Sequence, residues 1–370
     1  MNGLYIHIPF CIKKCGYCDF VSYENRLAEG EPYVNALLSE MEAYKGTEVD
    51  TVYIGGGTPT ALPPHLLIRI LLGVEENFCI LPGAEITVEA NPGTCDEAYF
   101  KELRQAGVNR ISLGVQSFVD EELKILGRIH SAGEAKQAVK NAKAAGIENV
   151  SLDLMFSLPG QTKESFLYSV REAISLQPSH ISSYSLIVCE NTPIEQAVSQ
   201  GRLILPDEDY DRDLYVLLVE TLKQAGYYRY EISNFAKPGK EARHNTKYWT
   251  RDPYIGLGAA AHSFWEGKRF ENPPLLSDYY ALCRGEKTRE TEAVTEKDAM
   301  AEFMFLGLRL TEAGISQQEF LRCFGKSLNE IYGKQLEKLC SLGLLECLGD
   351  RIRLTDRGID VSNGVFCEFV

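Results

Sequence analysis

Three stretches of this chain end a helix and begin a strand in the same way. In "LRQAGVNRISLGV", "AKAAGIENVSLDL" and "LKQAGYYRYEIS" an amphipathic run stops at Ala-Gly and an extended run follows at once. Gly107, Gly146 and Gly226 stand where a helix C-terminus needs a left-handed residue. A helix–glycine–strand join that recurs along a chain marks βα units around a parallel sheet. Candidate strands are Leu4–Ile8, Thr51–Ile54, Glu85–Ala90, Arg110–Val115, Asn149–Met155 and His180–Val188. Between them, Val34, Leu37, Leu38, Met41 and Tyr44 recur at helical spacing, as do Phe100, Leu103 and Ala106 after the capping Asp96. Six such units predict an α/β fold, a partial (β/α)6-type barrel over residues 1–235, with a doubly wound open sheet as the alternative.

Beyond residue 235 the pattern loosens. Residues 236–294, rich in Gly and aromatics, read as a loop-like extension or linker. Residues 295–370 read as a small separate unit. It has helices at Glu302–Leu310 and Leu336–Leu342, then a hairpin turning at Gly349-Asp350, an order that resembles a winged-helix module.

The formal net charge of −14 argues against a nucleic-acid partner, which calls for a basic surface. "MNGLYIHIPF" has no basic leader region, and no apolar run is long enough to span a membrane, so the expected location is the cytoplasm. Thiols stay reduced there, and a tight group of cysteines then points to a metal centre. The scattered Cys79, Cys95, Cys189, Cys283, Cys323, Cys340, Cys347 and Cys367 are expected to be small buried hydrophobes.

Such a group exists. Cys11, Cys15 and Cys18 share one short loop just after the first strand, in the spacing C-x3-C-x2-C. Three thiols cannot all pair as disulfides, and structural zinc wants four closed ligands. Iron–sulfur ligation by only three leaves one iron open to an exchangeable ligand. Other residues at strand ends fit a bound ligand. The glycines of "YIGGGTPT" allow close backbone approach, while Glu89, Gln116 and Asp153 place polar groups in apolar strands. A buried salt bridge to Arg104 or Arg110 is the purely structural alternative for these groups. Arg128 in "LGRIHS" could clamp a carboxylate, and His130 follows it.

The cysteine spacing, with Tyr17 before the last thiol, resembles the radical S-adenosylmethionine (SAM) signature. That resemblance implies a [4Fe–4S] cluster on Cys11, Cys15 and Cys18, with S-adenosylmethionine on the fourth iron, and an electron donor for the cluster. The order YIHIPFC, GGGTPT, TVEANP, GVQSF, LGRIHS, DLMFSLPGQT is similar to the oxygen-independent coproporphyrinogen III oxidase group. It implies S-adenosylmethionine contacts at Tyr5, Gly56, Gly57, Thr58, Glu89, Gln116, Arg128 and Asp153, and one near Ser185. Within that group the chain looks closest to the heme-chaperone branch. Phe20 stands where the oxidases carry a fourth cysteine, the oxidases' longer N-terminal segment is not seen, and "HNTKYW" matches that branch's H-N-x-x-Y-W motif. The branch implies heme binding, with His244, Tyr248 and Trp249 as candidate contacts and His130 and His262 as rival ligands. It also implies transfer to heme-accepting proteins, respiratory ones included, with transient contact at membrane-bound acceptors. Coproporphyrinogen oxidation in porphyrin biosynthesis is the alternative. A radical tRNA-modifying enzyme is a third reading, disfavoured by the acidic charge.

Overall fold

A computed structural model describes all 370 residues. The six expected strands are present as β1 (Asn2–Ile8), β2 (Glu48–Gly56), β3 (Cys79–Ala90), β4 (Arg110–Gln116), β5 (Asn149–Phe156) and β6 (His180–Ser185). Each pairs in parallel with the next. This order never reverses, so the doubly wound alternative, which turns back at a switch point, is excluded.

The three joins are built identically. After each helix the glycine adopts positive φ, at 95°, 84° and 82° for Gly107, Gly146 and Gly226. The next N–H reaches back to the helix: Val108 to Leu103 O, Ile147 to Ala142 O and Tyr227 to Leu222 O. This is the Schellman arrangement, in which the residue after the glycine packs on the last turn. Val108, Ile147 and Tyr227 are accordingly buried.

Residue alternation along the strands separates two faces. Leu4, Ile6, Val52, Ile54, Val88, Ile111, Leu113, Leu152, Leu154 and Ile181 belong to one buried apolar core together with helix residues such as Leu37, Leu67 and Phe100. The intervening residues of β1–β6 are Tyr5, His7, Tyr53, Thr87, Glu89, Arg110, Ser112, Ser151, Asp153, His180 and Ser182. With side chains on alternate faces, they give the barrel a polar lumen.

The extension differs from expectation. Residues 236–294 are part of the main sheet rather than a linker. Two short antiparallel strands, β7 (Tyr228–Glu231) and β8 (Asn234–Ala236), finish the β6 edge. After a helix at Arg243–Trp249, β9 (Tyr254–Leu257) inserts parallel to β1 on the opposite side. Antiparallel β10 (His262–Trp265), β11 (Lys268–Glu271) and β12 (Thr291–Ala293) then complete a sheet of 12 strands. Its outermost strands, β7 and β12, do not pair, so the barrel is partial.

The C-terminal unit has its own core, including Phe320, Leu339 and Ile352. Helices Glu296–Gly307, Gln317–Phe324 and Leu328–Ser341 pack with a small sheet of β13 (Ile315–Ser316), β14 (Leu345–Leu348) and β15 (Arg351–Leu354), in order β13–β15–β14. The expected hairpin is therefore present, while both expected helices begin earlier and end at Gly307 and Ser341.

Glu302 fastens this unit to the extension, accepting from Arg251 Nε and Arg269 Nε at 2.8 Å each. Burial opposes ionising Glu302, but the two guanidinium groups outweigh it and hold the carboxyl below its ordinary 4.5. Replacing it with Gln should therefore lower stability by ~1–3 kcal/mol at neutral pH, measured by urea unfolding. A folded-state pKa that is depressed stabilises above the unfolded value and is lost as pH falls through the folded one. The two proteins' stabilities should converge in acid; a constant difference down to about pH 3 would contradict the ion-pair account.

Candidate functional site

β1 runs into a short pairing of Phe10–Cys11 with Tyr23–Glu24, which holds both ends of the cysteine loop. Cys11 is buried, and Cys15 and Cys18 are half-buried. Burial pushes the Cys11 thiol up and the Cys18 thiol up to about 11, with the neighbouring loop thiols adding to both shifts. Thiolates here therefore need positive charge beside them, which bound iron supplies. No three Cys, His, Asp or Glu side chains converge as a site for a single metal ion. A cubane instead places its ligands on separate iron corners.

A hydrogen-bonded chain ties this loop to the ends of β2 and β3 and to Arg128. Thr58 Oγ1 donates to Cys11 Sγ at 3.5 Å, and Asn91 Nδ2 donates to Thr58 Oγ1 at 2.8 Å. Arg128 Nη2 donates to Asn91 Oδ1 at 2.6 Å, and its Nη1 donates to Cys15 Sγ at 3.3 Å. Asn91 was not foreseen from sequence. It directly follows β3, so the strand-end rule that singled out Glu89 would have found it.

The glycine run serves this docking. The N–H of Gly57 bonds Ile8 O at 2.9 Å, and the N–H of Gly56 bonds Glu89 Oε2 at 3.0 Å. A Cβ on Gly57 would lie 2.7 Å from Phe10 O, and one on Gly56 would lie 2.5 Å from the His7 ring. These glycines let β2 approach the cysteine loop, and these two N–H groups are already engaged by protein acceptors.

Below the loop lie two carboxylates. Glu89 accepts from Tyr53 Oη at 2.6 Å, and Ser112 Oγ donates to Asp153 at 3.3 Å. Burial raises both pKa values, Glu89 to about 7, and Asp153 raises Glu89 further. Buried Arg110 favours the ionised form of each. Tyr5 Oη bonds His7 Nδ1 at 2.8 Å on the same face. Gln116 is buried with φ at 66°, and its Oε1 has no partner; nor has Arg128 Nε. Burial, then the charge of Asp153 and Tyr17, raises the pKa of Tyr184, which is next to Ser185.

The heme expectation fares differently. Glu85 caps the Arg243–Trp249 helix, accepting from the His244 N–H at 3.0 Å. That draws the fully buried His244 ring between Thr51 Oγ1 and Tyr248 Oη, at 2.9 Å from each, and stacks it on Tyr53. Burial, then Lys247, pushes its pKa down to about 3. It is a neutral packing group, and both ring nitrogens have protein partners. Tyr248 packs edge-on to Tyr254, and Trp249 lies under Arg309. The rivals are no better placed: His130 is buried with Nε2 on Val115 O, and His262 is an exposed strand residue beside Glu271.

An open parallel barrel with a three-cysteine loop at its C-terminal strand ends defines a radical SAM protein. The radical SAM superfamily profile matches residues 5–173, and that of the HemN C-terminal domain matches residues 294–361. A "Heme chaperone HemW" of Lactococcus lactis is 38% identical over 372 residues, covering 100% of this chain and 97% of the relative. That of Escherichia coli is 38% identical over 364 residues, covering 96% and 94%. The structure of E. coli coproporphyrinogen III oxidase (HemN) superposes with a TM-score of 0.87 over 100% of this chain and 89% of that one, at 23% identity, which establishes a shared fold. The chain belongs to the HemW heme chaperone family.

The residues present fit the cofactors of this class. Cys11, Cys15 and Cys18 would hold the [4Fe–4S] cluster, with Thr58 donating to Cys11 Sγ and Arg128 to Cys15 Sγ. Glu89 and Asp153 would meet the positive charge of S-adenosylmethionine, and the partnerless Gln116 Oε1 and Arg128 Nε offer it an acceptor and a donor. When bound, the two groups supply one-electron chemistry. Cys15→Ala should abolish the brown iron–sulfur absorbance after anaerobic reconstitution, and Cys283→Ser should preserve it. Equal cluster content in the two variants would refute the ligand assignment.

A raised Glu89 pKa also sets a pH dependence. A carboxylate must ionise to pair with an ammonium, so S-adenosylmethionine affinity should rise between about pH 6 and pH 8. Glu89→Gln should weaken binding about 10- to 100-fold and flatten that profile in equilibrium dialysis. An unchanged slope in the variant would assign the titration elsewhere.

Proposed function

We propose that this chain is a cytoplasmic heme chaperone. It binds heme and passes it to heme-accepting proteins, respiratory and membrane-associated ones among them, under the control of its cluster and S-adenosylmethionine. The full-length likeness to proteins named for that role carries the reading, since it spans both the barrel and the C-terminal unit. No helix is long and apolar enough to cross a membrane. Contact with membrane-bound acceptors would therefore be peripheral or through the acceptor itself.

Heme would occupy the cleft between the β5–β6 strand ends and the C-terminal unit. Its volume of about 1320 Å³ exceeds the ~300–1000 Å³ of ordinary small-ligand pockets, leaving room for a tetrapyrrole. Phe156, Tyr184, Ile187 and Ile232 supply flat and apolar contacts. Arg357 lines it too, while Arg212, Arg229 and Arg309 are paired with Asp360, Asp356 and Glu231. Tyr184 belongs both to this cleft and to the surroundings of Asp153, so heme and the radical cofactors would be neighbours.

Two measurements test this. Heme titration should give a Soret band that survives in His244→Ala. Ile187→Asp should weaken heme binding about tenfold or more; at 74% exposure, Ile187 has little role in holding the fold. Loss of binding in a folded His244→Ala with Ile187→Asp unaffected would move heme to the H-N-x-x-Y-W helix. Reconstituted protein given coproporphyrinogen III, S-adenosylmethionine and reductant should yield no protoporphyrinogen. Its formation would replace the chaperone reading with the oxidase.

A further inference from the structure

The eight cysteines outside the cluster loop are not buried as expected. Cys79, Cys323, Cys347 and Cys367 are exposed, and Cys95, Cys189, Cys283 and Cys340 are half-buried. One pair among them is in contact. Cys340, in the last turn of the Leu328–Ser341 helix, and Cys347, in β14, have sulfurs 3.7 Å apart. Seven positions separate them in sequence, and the fold fixes both. Gly343 takes a φ of 68°, its N–H returns to Cys340 O at 2.9 Å, and that of Leu344 returns to Leu339 O. Leu339 and Leu345 are buried in the unit's core. Cys347 lies two residues beyond Leu345, on the same face of the strand, and so is aimed at the helix. Neighbouring Glu346 points the other way and pairs with Arg353.

We infer that Cys340 and Cys347 are a reversible dithiol–disulfide site on the C-terminal unit. The sulfurs need to close from 3.7 Å to the ~2.05 Å of a bond, a movement that side-chain rotation can supply. A cytoplasmic pair of this kind is transient and redox-responsive rather than a permanent brace. Exposure makes Cys347 the thiol that meets an oxidant first. Burial, with Cys347 beside it, pushes the Cys340 thiol up to about 11, so it is the weaker initial nucleophile and acts second, on the sulfur already held beside it.

The chemistry balances with a small disulfide such as glutathione disulfide as oxidant. The Cys347 thiolate attacks one sulfur of glutathione disulfide, making a mixed disulfide and releasing one glutathione thiolate. The Cys340 thiolate then attacks the Cys347 sulfur and releases the second. The two protein thiols lose two protons and two electrons, and two molecules of glutathione carry them away. Reduced glutathione in excess reverses both steps.

Trypsin leaves both cysteines in one peptide, Leu339–Arg351, which makes the test direct. Full-length, cluster-loaded protein is equilibrated anaerobically with set ratios of oxidised to reduced glutathione, then alkylated and digested. The expected product is a Leu339–Arg351 peptide lighter by two hydrogens than the unalkylated dithiol and carrying neither alkyl group nor glutathione. It should become the main form at a ratio where Cys79, Cys323 and Cys367 remain mostly alkylated. In Cys340→Ser, the mixed disulfide with glutathione should accumulate on Cys347 instead, with circular dichroism unchanged. In Cys347→Ser, no oxidised form of that peptide should appear at the same ratio. Full alkylation of both thiols at every ratio, or stable glutathione on Cys347 of the unsubstituted protein, would overturn the inference.

Discussion

Charge held inside the barrel is the constraint on which this molecule depends. Glu89, Asp153 and Arg110 are buried in the polar lumen, and stripping water from a carboxylate is costly unless a partner replaces it. Tyr53, Gly56 and Ser112 hold the carboxylates, and Arg110 supplies one positive charge. Burial, with Asp153 adding to it, still pushes Glu89 up to about 7 against the pull of Tyr53, Gly56 and Arg110. A cationic ligand would relieve this burial, and S-adenosylmethionine, with its sulfonium and ammonium groups, would supply one. The Thr58–Asn91–Arg128 chain holds the cysteine loop at the same end of the barrel, so one network would position both the cluster and its ligand.

Most of the barrel was legible because local and long-range signals agree there. The three Ala-Gly joins report helix ends through backbone geometry alone, and each leads into a strand, at Arg110–Gln116, Asn149–Phe156 and Tyr228–Glu231. Glu89, Gln116 and Asp153 were visible as polar interruptions of apolar strands. The seventh parallel strand was not. Tyr254–Leu257 has four residues, follows Pro253 and lies in a glycine-rich stretch, so nothing local separates it from a loop. Only the free edge of β1 makes it a strand, and that edge is a property of the folded sheet.

The packed setting of His244 was hidden from the sequence for a related reason. A histidine flanked by Tyr and Trp presents the same residue types whether it faces a ligand or packs in a lumen. What decides is Glu85, more than 150 residues away, which caps the helix and turns its first residues inward. The scattered cysteines show the converse. Composition favours burial for small sulfur residues, yet the turn at Gly343 brings two of them together at a surface where chemistry can reach them.

The position of the cleft bears on why a carrier would keep a radical-type barrel. The strand ends of β5 and β6 form one wall of the lumen and one wall of the cleft, and Tyr184 belongs to both. Opposite stands the C-terminal unit, attached through the Arg212–Asp360 and Arg229–Asp356 pairs at the cleft itself and through Glu302 further away. The paired carboxylates at the cleft lie on exposed side chains in part, so each bridge is individually weak in water. Glu302, half-buried between two arginines, is the firmer attachment. Arg309 against buried Glu231, and the Thr311 N–H on Tyr230 O at 3.1 Å, hold the unit to this wall as well. Cofactor occupancy in the lumen and heme occupancy in the cleft would thus meet on a shared wall, which gives a physical route for one to govern the other without any chemical step on the heme.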